Sequence, residues 1–110
     1  MRINVSMCRA AYEMLRASPP FSHWHLPRAD EVEFLVASLP ELGKFETPAR
    51  ITISDRKNGH LLTVLETMAH EMAHLKMERD GASNHTHRHP TFRKLIADIC
   101  DRHGFDPKCL

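Results

Sequence analysis

Five stretches of the chain repeat apolar and polar positions with a regular period. Val5, Cys8, Tyr12 and Leu15 recur at intervals of three and four, the signature of a helix with one apolar face. Ser18-Pro19-Pro20 ends that pattern, because proline cannot continue a helix, so a packing helix is expected over residues 4–17. In residues 31–38, Val32, Phe34 and Val36 alternate with Glu33 and Leu35, and the β-branched content favours a strand. Val32, Leu35, Val36 and Leu39 also match helical spacing, which leaves a short helix as the alternative. Residues 50–54 (RITIS) predict a short strand closed by a turn at Asn58-Gly59.

The fourth pattern is Leu61, Leu65, Met68, Met72 and Leu75, a stripe that predicts a helix over about 61–79 with Gly81 as its stop. The fifth, Phe92, Leu95, Ile96, Ile99 and Cys100, predicts a final helix over about 91–103. Pro90 suits its first turn, and Gly104 and Pro107 end it. Between these elements, residues 21–30 are irregular, with Trp24 expected as a partly buried ring between exposed His23 and His25. Residues 39–49 carry two prolines and a glycine and are expected to be a connecting loop, and 80–89 a polar connection. The expectation is an α+β fold: an N-terminal helix, a small sheet of two or three strands, and the 61–79 helix packed against a C-terminal one.

Chemistry enters with His70-Glu71-Met72-Ala73-His74. Residues four apart on a helix lie on one face, so His70 and His74 can offer two imidazole nitrogens to one metal ion. Glu71 stands beside them as a candidate base, the arrangement of a zinc-dependent peptidase. The apolar stripe centres roughly opposite the two histidines, so one face buries while the other lines a cleft. Glu66 and Thr67, one turn before His70, are candidates to orient a ligand from behind.

Composition narrows the classes. A chain of 110 residues is expected to be a single domain over 1–110, with a core that needs no staples. Fifteen basic against fourteen acidic residues do not support a protein built to coat nucleic acid or a membrane. Arg88, Arg93 and Lys94 are read as a solvated face. Cys8, Cys100 and Cys109 form no CxxC pair and leave an odd thiol, which fits a reducing cytoplasm better than a disulfide framework or a zinc ribbon. The N-terminal residues contain no continuous apolar run of the kind a signal peptide or anchor needs. Nine histidines are the departure from average, and seven of them cluster, at 23 and 25, at 70 and 74, and at 85, 87 and 89.

Two histidines do not complete a zinc site, which in enzymes takes three protein ligands and a water. Glu78 is unsuited, since three groups along one straight helix spread over about 12 Å. An extended HExxHxxGxxH pattern is absent, because positions 77 and 80 hold Met77 and Asp80. The third ligand is therefore expected from the 80–90 connection. His89, held by the final helix, is the first choice, with His87 next and His85 after it.

The chain resembles the SprT-like (Spartan-type) family of minimal zincin metalloproteases. The matching elements are the strand at Ile51, the helix TMAHEMAHL with His70, Glu71 and His74, and a histidine fifteen residues after His74, His89, that precedes a Phe and a basic amphipathic helix (HPTFRKLIADIC). The closing HGFDPK is similar to short bacterial and phage versions, and the C-terminal four-cysteine ribbon of many relatives has no counterpart here. The resemblance implies a zincin-like domain with one Zn²⁺ on His70, His74 and His89, and Glu71 as general base. It also implies hydrolysis of a protein or peptide substrate, which can pair with an edge strand. The alternatives are a non-catalytic zinc-binding module with a closed four-ligand site, a regulator of nucleic-acid transactions, and a metal hydrolase of another substrate class.

Overall fold

The computed structural model describes residues 2–81, 87, 89–106 and 110. Over these the chain is mixed α+β, with three α-helices and one three-stranded sheet. Helix α1 spans Val5–Arg16. The Asn4 side-chain oxygen accepts from the Met7 N–H at 2.8 Å, which satisfies one of the unpaired donors at a helix start. Its buried stripe is Cys8, Ala11, Tyr12 and Leu15. The Tyr12 hydroxyl donates to the Pro27 carbonyl, and its ring meets Phe34 edge-on at 5.3 Å. Tyr12 is thus a core residue and does not line the cleft described below.

Residues 21–31 form two short 3₁₀ turns, Phe21–His23 and Ala29–Glu31. Trp24 is buried edge-on to Phe21, while His23 and His25 are exposed, as the sequence suggests.

The sheet consists of β1 (Glu33–Ala37), β2 (Gly43–Glu46) and β3 (Arg50–Ser54), in the order β1-β3-β2. Strand β1 runs parallel to β3, with Phe34 opposite Ile51, and β2 runs antiparallel to β3, with Phe45 also opposite Ile51. Of the two expectations for residues 31–38, the strand is correct: alternation buries Val32 and Phe34 and leaves Glu33 and Leu35 exposed. The expected loop over 39–49 needs correction, because β2 lies inside it. Four residues with one large apolar side chain carry too little period to be recognised. The strand exists because β3 supplies its backbone partners, and Pro40 and Pro48 fall outside the paired segment, where proline is tolerated.

Helix α2 (Leu61–Arg79) is the central element. Helices α1 and α3 and strands β2 and β3 all pack against it. The expectation of a single apolar stripe is therefore too narrow. Val64, Ala69, Ala73 and Met77 are buried along with Met68, Met72 and Leu75, whereas Leu61 is 55 % exposed. Helix α3 (Pro90–His103) buries Phe92, Ile99 and Cys100. It closes at Gly104, whose φ of 73° lies in the left-handed region that glycine adopts without a side-chain clash. Cys8 and Cys100 are buried free thiols; Cys109, His85, and residues 82–86 and 88 of the 80–90 connection lie outside the described residues. No described helix is long and apolar enough to cross a membrane.

Candidate metal centre

His70 and His74 stand one turn apart on α2, with ring centroids 5.1 Å apart. The chain beyond α2 returns His87 to them. Its Nε2 lies 3.1 Å from Nε2 of His70 and 3.2 Å from Nε2 of His74. One ring nitrogen from each of the three residues falls within 4.8 Å of the others. Three ligands about 2.0–2.1 Å from one tetrahedral ion sit about 3.4 Å apart, so these two separations are close to what one shared Zn²⁺ demands. A proton could bridge one imidazole pair, yet His87 Nε2 faces both neighbours through a single atom. Nitrogen lone pairs gathered in this way suit a cation at their centre, and the donor set fits zinc.

Stacking holds the three rings. The Phe92 ring, from the first turn of α3, lies against His74 at 4.5 Å and His87 at 5.2 Å, and meets His70 edge-on at 5.2 Å. Phe45 of β2 stacks on His74 at 6.3 Å. The His70 Nδ1 lies 2.7 Å from the backbone oxygen of Leu110. Burial lowers the His70 pKa; the bond to Leu110 opposes that shift and His87 adds to it. The net effect favours the neutral imidazole that a metal needs.

His87 thus occupies the place expected of His89. His89 is the N-cap of α3, where its Nδ1 accepts from the Thr91 N–H at 3.2 Å. Pro90 is the first residue of the helix, so the residue before it must adopt extended backbone and sit at the cap. Proximity to α3 fixes His89, but at the helix start rather than over His70 and His74.

The trio opens onto a cleft of about 400 Å³, whose lining includes Gly43, Phe45, Glu71 and Glu78. Glu71 is 5 % exposed, and burial pushes its pKa up to about 8. Among the described residues no hydrogen bond or ion pair reaches its carboxylate, although it lines the cleft. Gly43 lets β2 approach it closely: a Cβ at position 43 would stand 2.7 Å from Thr67 Cγ2 and 3.1 Å from Glu71 Oε2. Of the two residues considered one turn before His70, Thr67 is buried, and its hydroxyl donates to the Asn58 side-chain oxygen at 2.8 Å. Asn58 in turn donates to the carbonyls of Leu42 and Ser54 at 3.0 and 2.7 Å. Thr67 therefore ties the entry to β2 and the end of β3 to α2, next to Glu71, and no bond joins it to His70. Glu66 is half-buried and is absent from the cleft lining.

Sequence reasoning missed three contributors to this site: the β2 wall, the Phe92 ring beneath the imidazoles, and Leu110 behind His70. The pattern identifies Phe92 as buried, but not what it buries against. Searches against protein-family models, curated proteins and solved structures found nothing that matches this chain.

Proposed function

We propose that the chain is a zinc-dependent metallopeptidase of the SprT-like, zincin kind, with His70, His74 and His87 as ligands of one Zn²⁺ and Glu71 as general base. One observation carries the reading: three imidazole nitrogens converge at a cleft whose wall holds a buried carboxylate with no hydrogen-bond or ion-pair partner among the described residues. Zinc bound there would supply a water of near-neutral pKa and a positive charge to polarise a scissile carbonyl.

Glu71 takes the proton of the attacking water and returns it to the leaving amine. Its raised pKa belongs to the metal-free chain; a dication beside it favours the ionised carboxylate, the form able to accept a proton. Phe92 and Phe45 keep the His74 ring in place, as a site working through fixed geometry requires. Among the described residues strand β2 is paired by β3 on one side only, and its residues Gly43, Lys44 and Phe45 line the cleft. An extended peptide laid along β2 can bond to that edge and bring its backbone past the trio, which favours a peptide over other substrates. A closed four-ligand site would draw on a second histidine of the 85–89 group; His89 serves the helix cap, and His85 lies outside the described residues. The balanced charge favours a protein substrate over nucleic acid. Two buried free thiols suit the cytoplasm.

The test is cleavage of an unfolded protein by the chain loaded with one equivalent of zinc. Glu71→Gln is expected to keep the zinc and lose about 10²- to 10⁴-fold in rate. Cleavage undiminished in that variant refutes the assignment.

A further inference from the structure

We infer that Leu110 is a positioning residue for the histidine trio: its side chain packs against the core beside the α3 groove while its backbone oxygen holds the His70 imidazole with Nε2 bare and turned toward His87. The consequence for zinc rests on the metal reading above, whereas the hydrogen bond does not.

The bond fixes a tautomer. A backbone oxygen can only accept, so at 2.7 Å the His70 Nδ1 must carry the hydrogen. A neutral imidazole has one N–H, and Nε2 is left with its lone pair. That is the atom 3.1 Å from His87 Nε2. The partner on one ring nitrogen decides what the other can do, so an acceptor behind His70 prepares the opposite side as a ligand. Histidines that bind metals commonly donate their second ring N–H in this way.

The side chain explains why that oxygen is there. Leu110 is half-buried and packs against the hydrophobic core. It shares a groove with His87, Phe92, Arg93, Ile96 and Ala97. Phe92 is also the ring on which the imidazoles rest. The core packing beside α3 thus bears on the trio twice, directly through Phe92 and indirectly through Leu110, which lines the same groove. No other hydrogen-bond partner of His70 Nδ1 occurs among the described residues.

The experiment compares the full chain with Leu110→Gly, which removes the anchor, and Leu110→Met, which restores an apolar side chain of similar size. In metal-free protein labelled with ¹⁵N at histidine, long-range nitrogen–proton NMR correlations report each ring's tautomer. His70 is expected as the Nδ1–H form in wild type and Leu110→Met, and as a mixture with the Nε2–H form in Leu110→Gly. Zinc affinity, measured by competition with a chromophoric chelator, is expected to fall about 10- to 100-fold in Leu110→Gly and to be recovered in Leu110→Met. Circular dichroism monitors the fold. His70 found as Nε2–H in the wild-type chain overturns the inference without reference to any variant. So does an unchanged tautomer and zinc affinity in Leu110→Gly. If the tautomers behave as expected but wild type binds no zinc, the hydrogen bond stands and the metallopeptidase reading fails.

Discussion

His87 and His89 are two residues apart, and local backbone geometry sends them to different work. The residue before Pro90 is held in extended conformation at the start of α3, and its ring turns back to accept from the Thr91 N–H. His87 is outside that constraint and reaches His70 and His74. His87→Ala is therefore expected to abolish binding of one equivalent of zinc, measured by metal analysis after gel filtration. His89→Asn is expected to keep both zinc and stability, since asparagine is a good cap, whereas His89→Ala keeps zinc and loses about 1 kcal/mol in denaturant melts. Loss of zinc in His89→Asn with retention in His87→Ala would reverse the assignment. Glu71 supplies a pH dependence. Burial raises its pKa from 4.5 to about 8, so the folded chain holds a proton there that the unfolded chain has released. Stability from this group is full below about pH 4.5, declines as pH rises, and is gone once pH passes about 8. In chelator-treated protein, Glu71→Gln should thus raise the melting temperature over wild type more at pH 9 than at pH 5. An equal difference at both values would show that the carboxylate is not buried as described.

Strand β2 illustrates how an element depends on one small residue. Gly43 sits so close to α2 that a methyl group there would meet Thr67 Cγ2 at 2.7 Å and the Thr52 carbonyl oxygen at 3.2 Å. Gly43→Ala is expected to cost about 1–3 kcal/mol and to push the cleft wall outward. Thr67→Ser removes the clashing methyl but keeps the hydroxyl that donates to Asn58. The double variant should recover part of the loss, a coupling that denaturant titrations of the four proteins would measure. Strictly additive losses would mean that β2 is not packed on α2 in this way. The same strand marks the limit of reading by period. Helix α2 was legible to its ends, Leu61 and Arg79, because nineteen residues give several turns of pattern and Gly81 follows them. The four residues of β2 were not, because their reason for being extended is the backbone of β3.

At the scale of the molecule, α1, α3 and the sheet close around α2, and the interior thiols report on that closure. Cys8 is fully buried, and its pKa is pushed up to about 11. At pH 8 the folded chain presents it neither exposed nor ionised. Alkylation of Cys8, located by mass spectrometry, is expected to rise with denaturant in step with the loss of helical circular dichroism. Rapid labelling in native buffer would contradict the packing of α1. The relation of His70, Glu71 and His74 to one another follows from the helix period alone, and so does the burial of Phe92, because each depends on neighbours within a turn or two. The choice of His87 over His89, the ring contacts of Phe92, the close approach of Gly43 and the bond from His70 to Leu110 were decided only when distant segments met. Those contacts span from 13 to 40 positions of chain in the cases of His74–His87 and His70–Leu110. A local pattern records which side of an element is apolar, but it does not record which surface that side will find.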